Sequence, residues 1–205
     1  MIKKEIILAS ASERRSRILS DCGIAHRVVP SAAEEMLDKN TPISEIVRIN
    51  AEAKAEKVAA ITDGEHGAER SVIIGADTLV SFGKDIIGKP DGAKAALEML
   101  KKFSGNEIEV YTGLCIMNFE AGKKAVGFEK SSLSVSQLTD RQIERFFRLL
   151  GPYDKAGGFS IEGVGSMLFD NIRGSYFNIL GLPVVRLREL FEQVGLDILD
   201  YIDTV

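Results

Sequence analysis

The chain predicts a mixed α/β fold: an elongated mixed β-sheet with flanking helices. Three observations predict it. Short apolar runs that break at turn residues alternate with longer stretches of helical spacing. Two pairs of such runs face each other across glycine-bearing turns, as hairpins do. No linker composition, internal repeat or low-complexity tract divides the 205 residues, so a single domain is expected over 1–205.

Lys4 to Ala9 reads as a buried first strand, an apolar run that stops at Ser10. A helix follows with Ser12 as its N-cap, Ile18 and Leu19 on its inner face and Gly23 just past its end. His26 to Val29 forms a short second strand closed by Pro30, and Ser31 to Asn40 is acidic and irregular. Thr41-Pro42 opens a second helix, a capping hydroxyl followed by proline at the first helical position. That helix runs to about Ile61, with Ile46, Val47, Asn50, Ala51, Lys54 and Val58 at helical spacing.

Beyond a loop from Thr62 to Arg70, Ser71 to Ala76 is β-rich and apolar, a central strand. Leu79 to Phe82 and Asp85 to Gly88 flank Gly83-Lys84 as a hairpin. Asp91 caps a third helix, striped by Ala96, Leu97, Leu100 and Phe103 and terminated by Gly105. Glu107 to Phe119 and Ala125 to Val135 make a long hairpin around Glu120-Ala121-Gly122. Thr139 with Gln142 is a capping box that opens a fourth helix. From 151 to 182 glycine is dense and periodicity fades, the character of a loop-rich functional region. Pro183 starts a last helix to about Val194, and an acidic tail follows.

Composition excludes several classes. Lys and Arg number 26 against 30 Asp and Glu, a formal charge of −4, which argues against broad non-specific nucleic-acid binding. The absence of Trp and a 7% aromatic content leave little for base stacking, so no nucleic-acid partner is expected. Apolar runs such as Ile6-Ile7-Leu8-Ala9 are far short of the ~20 residues of a membrane span. Met1-Ile2-Lys3-Lys4-Glu5 carries no apolar segment of signal-peptide length, so a cytoplasmic protein with no membrane contact is expected. Cys22 and Cys115 are too few for a disulfide framework, and His26 and His66 form no metal-ligand pair.

Three segments carry the candidate chemistry. Ser10-Ala11-Ser12-Glu13-Arg14-Arg15 follows a strand and opens a helix, so free N–H groups and two guanidinium forks converge at a positive helix end. The segment reads either as a phosphate cradle or as a plain cap with solubilising arginines; the glycine-rich P-loop pattern is absent. In Gly75-Ala76-Asp77-Thr78 a carboxylate follows an apolar run at an expected strand end, where α/β sheets gather ligands. Such a carboxylate pairs with a cation, binds metal or acts as a base. The third segment is Asp154 to Gly163 with Gly174 to Pro183, whose glycines let backbone approach a planar ligand closely.

Taken in order, these segments resemble the Maf family of nucleoside triphosphate pyrophosphatases, the septum formation inhibitor proteins. The likeness spans nearly the whole chain: Ser10-x-Ser12-x-Arg14-Arg15, Ala51-Glu52-Ala53-Lys54-Ala55, Gly75-Ala76-Asp77-Thr78, Gly88-Lys89-Pro90, Tyr111-Thr112-Gly113, Lys155-Ala156-Gly157-Gly158-Phe159 and Gly174-Ser175-Tyr176 through Gly181-Leu182-Pro183. No one piece is specific; seven in this order are.

The resemblance implies a cytoplasmic homodimer with the elongated-sheet fold of inosine triphosphate pyrophosphatases, two lobes around a central cleft. It implies hydrolysis of a nucleoside triphosphate between its α and β phosphates with a divalent metal, Mg²⁺, Mn²⁺ or Co²⁺. Asp77 would accept the proton, with Lys54, Lys89 and Arg14 as the other catalytic residues. Ser10, Ser12, Arg14, Arg15, Lys54, Thr78, Lys89 and Glu162 would bind substrate, and Glu34 with Asp77 would hold the metal.

Two departures stand out. Glu13 replaces the proline usual between Ser12 and Arg14. Glu162 stands where the dTTP/UTP branch carries glutamine, whereas Ala76-Asp77-Thr78 matches that branch. A glutamine amide offers a donor and an acceptor, which suits uracil or thymine; an ionised glutamate only accepts, which suits paired N–H donors such as those of guanine. The expected substrate is therefore dTTP or UTP, with 7-methyl-GTP or another modified nucleotide as the alternative. A non-catalytic nucleotide-binding division regulator is the rival class.

Overall fold

The computed structural model describes residues 4–62, 70–150 and 160–202. Its strands are β1 (Glu5–Ala9), β2 (Arg27–Val28), β3 (Ser71–Phe82), β4 (Asp85–Ile87), β5 (Glu107–Asn118), β6 (Lys123–Val135) and β7 (Phe169–Arg173). Its α-helices are α1 (Glu13–Asp21), α2 (Ile43–Thr62), α3 (Ala93–Phe103), α4 (Asp140–Leu150), α5 (Tyr176–Ile179) and α6 (Val184–Gln193). The strands form one seven-stranded mixed sheet in the order β2-β1-β3-β5-β6-β7, with β4 paired to β3. The expected fold class is the observed one. Residues 63–69 with His66, the segment Lys155-Ala156-Gly157-Gly158-Phe159 and the residues after 202 lie outside the described residues.

The chain divides into two compact units. The first comprises Met1–Thr78, Thr112–Glu129 and Leu180–Val205. Here β1 pairs in parallel with both β2 and β3, in the register Ile7↔Arg27 and Ala9↔Gly75. A strand flanked on both sides and covered on both faces reads as an unbroken apolar run, which is why Ile6 to Ala9 shows no alternation. Ile7, Ala9, Ala51, Ala55, Val58, Ile73 and Cys115 form the core between α2 and the sheet. Burying a large aliphatic side chain contributes roughly 1.5–3 kcal/mol, so packing of this face outweighs the helix propensity of α2.

Two glycines set how closely that helix lies. A Cβ on Gly75 would fall 2.1 Å from the Ala51 carbonyl oxygen, and one on Gly113 would fall 2.0 Å from that of Val47. The backbone of α2 therefore rests directly on β3 and β5, with no side chain between.

The second unit comprises Leu79–Tyr111 and Lys130–Ile179. α3 and α4 pack through Leu100, Leu138, Ile143 and Leu168. The β3–β4 turn passes through Gly83 at φ +60°, and β7 pairs antiparallel to β6 with an irregularity at Ser134/Val135. Thr139 and Gln142 form the expected capping box: the Thr139 N–H donates to Gln142 Oε1 at 2.9 Å, and the Gln142 N–H to Thr139 Oγ1 at 3.4 Å.

Several elements differ from expectation: the loop-rich stretch before Pro183 holds β7 and α5, and two boundaries move. β3 does not stop at Ala76; it runs twelve residues to Phe82, and Asp77 and Thr78 lie inside it. The polar pair breaks the apolar pattern, but not the backbone pairing that defines a strand. α3 is capped by Gly92 at φ +92° with no side-chain bond, rather than by Asp91.

Candidate active site

The candidate site belongs to the first unit and grows from the point where β1 ends. Because β1 stops at Ala9, opposite Gly75, Asp77 and Thr78 extend past the carboxyl end of their parallel neighbour. An open α/β sheet exposes ligand-binding groups at such a position. Adjacent strand residues face opposite sides, so Asp77 shares the face of Gly75, towards α2, and Thr78 takes the other.

On the α2 side the bare contact at Gly75 brings the helix close enough for Asn50 and Lys54 to reach Asp77. Lys54 Nζ lies 2.6 Å from Asp77 Oδ1 and 2.6 Å from Glu35 Oε1. The Asn50 amide donates to Asp77 Oδ2 at 3.0 Å. Asp77 is 3% exposed and Asn50 1%, so this carboxylate is desolvated and stands with its ammonium partner, while Glu35, its side chain 48% exposed, meets Lys54 from the solvent side. Lys54 at a core-facing position of α2, an anomaly in the bare sequence, is thereby accounted for.

On the other side Arg15 is a strut. Its Nε donates to the Gly181 carbonyl at 2.8 Å, its NH1 to Ser10 Oγ at 2.9 Å and its NH2 to Thr78 Oγ1 at 2.9 Å. Thr78 Oγ1 in turn lies 3.0 Å from Thr112 Oγ1. Ser12 caps α1 by accepting the Arg15 N–H at 3.4 Å, and its own N–H donates to Ser10 Oγ at 3.3 Å. Burial pulls the Arg15 guanidinium below its ordinary value, opposed by the carboxylates of Asp77 and Glu35. That opposition ties the two halves of the cluster electrostatically.

Of the residues expected from sequence, Ser10, Ser12, Arg15, Lys54, Asp77 and Thr78 thus meet in one unit. Arg14 sits half-buried on the first turn of α1. Glu34 is exposed and pairs with no described residue; its neighbour Glu35, whose side chain is also 48% exposed, is the glutamate that reaches the cluster. Sequence reasoning also missed Asn50, Thr112 and Gly181. For Asn50 a signal existed, an amide at an apolar-stripe position of a helix; for Gly181, at φ +97°, only the glycine itself.

Lys89 and Glu162 belong to the second unit. Lys89 is exposed beyond β4. Glu162 is exposed at the start of a 3₁₀ turn, where its Oε2 accepts from the Ser160 hydroxyl at 3.3 Å. It borders a groove of about 600 Å³ lined with Ile161, Ser166, Phe169, Asp170 and Tyr176.

Among the described residues no three His, Cys, Asp or Glu side chains gather as a metal cage. Two carboxylates do converge on one point of positive charge, the Lys54 ammonium. Paired carboxylates suit a hard ion that takes its other ligands from water and phosphate, so Asp77 and Glu35 fit Mg²⁺ or Mn²⁺. Among the described residues no helix is long and apolar enough to cross a membrane.

Comparison with known proteins gives the family. The family model described as Maf-like protein matches residues 5–194. A protein of Caldicellulosiruptor saccharolyticus named dTTP/UTP pyrophosphatase is 37% identical over 196 residues, covering 96% of this chain and 98% of its own length. One of Desulforamulus reducens with the same name is 36% identical, covering 95% and 99%. A third so named, of Clostridium botulinum, is 40% identical and covers 95% and 100%.

Proposed function

The chain belongs to the Maf-like protein family, and on that footing we propose that it hydrolyses dTTP and UTP between the α and β phosphates, releasing the monophosphate and pyrophosphate. The names of full-length relatives at 36%, 37% and 40% identity support the substrate class. The observation that carries the reaction is the Asp77 carboxylate, nearly excluded from solvent yet held between an ammonium and an amide. Each carboxylate oxygen keeps a second lone-pair direction, so Asp77 can still accept a proton.

Phosphoryl transfer asks for alignment and charge neutralisation more than covalent chemistry. A water oxygen attacks the α-phosphorus and passes a proton to Asp77. The bond from that phosphorus to the bridging oxygen breaks, and pyrophosphate leaves with the electron pair. Lys54 and Arg14, the latter at the positive end of α1, offset phosphate charge. Arg15, already engaged with Ser10, Thr78 and Gly181, holds the wall of the site in shape. Asp77 and Glu35 would hold a divalent cation; when bound it supplies neutralisation of the phosphate oxygens. The reading carries with it a cytoplasmic homodimer.

One observation favours a second reading, the same reaction on 7-methyl-GTP. Glu162 presents a carboxylate, an acceptor only, on the groove of the second unit. A panel of dTTP, UTP, GTP and 7-methyl-GTP with Mg²⁺, Mn²⁺ or Co²⁺ tests both, with pyrophosphate release as the signal. Failure to release pyrophosphate from every nucleotide with every metal would overturn the proposal; 7-methyl-GTP turned over faster than the pyrimidine nucleotides would select the second reading.

A further inference from the structure

Asn50 makes three hydrogen bonds that define its amide without ambiguity. The Met36 N–H can only donate, so the group 2.8 Å from it is Oδ1. The Met36 carbonyl and the Asp77 carboxylate can only accept, so the group 3.1 Å and 3.0 Å from them is Nδ2. One side chain, buried in the middle of α2, therefore grips both backbone groups of a residue in the irregular segment before that helix and one oxygen of the central carboxylate.

The gripped residue is the one after Glu34-Glu35. Neighbouring side chains leave the backbone in different directions, so a segment without helix or strand needs something to decide which glutamate faces inward. Both are exposed, but Glu35 reaches Lys54 at 2.6 Å while Glu34 pairs with no described residue. Ala32, at φ +45°, is held in a conformation that an alanine seldom adopts, which also marks the segment as constrained.

We infer that Asn50 is a positioning residue: by clamping Met36 and Asp77 with one amide it sets the register of residues 34–36, so that Glu35 joins Asp77 in holding the divalent cation. The inference rests on the proposed reaction for its purpose, but the clamp itself can be tested without turnover. Asn50→Leu removes all three bonds; Asn50→Asp keeps the shape and the Met36 N–H bond, and turns an acceptor towards two acceptors.

Hydrogen exchange of the Met36 amide, normalised to core amides of β3, should accelerate at least tenfold in Asn50→Leu, and the Glu35–Met36 region should loosen in Asn50→Asp. Calorimetric titration with Mn²⁺ alone gives the second readout. In the wild-type background Glu35→Gln should weaken Mn²⁺ at least tenfold more than Glu34→Gln, and in the Asn50→Leu background that difference should shrink to within about twofold. A side chain that merely stabilised α2 would lower the melting temperature and leave this discrimination intact. Wild-type exchange at Met36 in a folded Asn50→Leu protein, or an undiminished Glu35-over-Glu34 preference, would refute the clamp. Should Asn50→Leu not fold, Asn50→Asp carries both measurements. An absence of pyrophosphate release from the wild type would sink the proposed reaction instead, and Met36 exchange would still decide the clamp.

Discussion

The two glutamates that matter most in this chain, both exposed, differ in the company they keep. Glu35 belongs to a cluster in the first unit where Asp77, Asn50, Lys54 and Arg15 hold partners at hydrogen-bond distance. Glu162 stands exposed beside an open groove in the second unit, touching Ser160. Charges fixed by partners around a buried aspartate suit chemistry, where a misplacement of an ångström is expensive; an exposed acceptor on a groove suits recognition, where a single exchange can alter which ligand is preferred. The contrast teaches that turnover and selectivity should respond to mutation separately.

The largest effect should come from the buried side. Asp77→Asn keeps the side chain's shape but removes the proton acceptor and the charge facing Lys54, and kcat for pyrophosphate release by the folded protein should fall about 10²–10⁴-fold. Near-normal turnover would break the comparison at its root. Lys54→Met follows: it leaves Asp77 and Glu35 without their shared cation, and losing one partner of a buried pair costs about 3–5 kcal/mol, readable as a lower midpoint in urea. A midpoint equal to wild type would mean that solvent screens the pair.

Next in size, Glu35→Gln should lower kcat/KM at least tenfold at limiting Mg²⁺ while Glu34→Gln stays within about twofold, since a hydrogen bond to a charged group contributes about 1.5–3 kcal/mol. Equal losses would erase the distinction between the neighbours. The smallest effect belongs to the exposed side. Glu162→Gln should leave the melting temperature unchanged and shift the kcat/KM ratio of dTTP over 7-methyl-GTP upward by roughly tenfold, on the same worth of a charged hydrogen bond. An unmoved ratio would show that this carboxylate does not read the base.

Capping signals were the most legible part of the fold. Ser12 and the Thr139–Gln142 box depend on a few local atoms, and both appear where the residues predict them. Lys54 was legible as a misfit, a charge on a core-facing helical position. What could not be read was whatever depends on the far partner. The polar step Asp77-Thr78 looked like the end of a strand because side-chain pattern, not backbone pairing, is all a sequence displays; β3 in fact continues to Phe82. The part Glu35 plays was illegible for a related reason. Residues 31–40 carry no period from which a facing direction could be inferred, and the direction is set by Asn50 across the fold. Arg15 read as a phosphate ligand from its neighbours; its bond to the Gly181 carbonyl, 166 positions away, had no local signal.

The naked seat of α2 on Gly75 and Gly113 has a practical corollary for anyone wishing to toughen this protein. Exchanging glycine for alanine is a standard stabilising device, because it narrows the choices of the unfolded chain. At these two positions a single methyl would act as a wedge against the Ala51 and Val47 carbonyls, and the lysine carried by the helix would be prised off its aspartate as the helix rose. Any library built for heat tolerance should hold both sites invariant and look for its gains elsewhere.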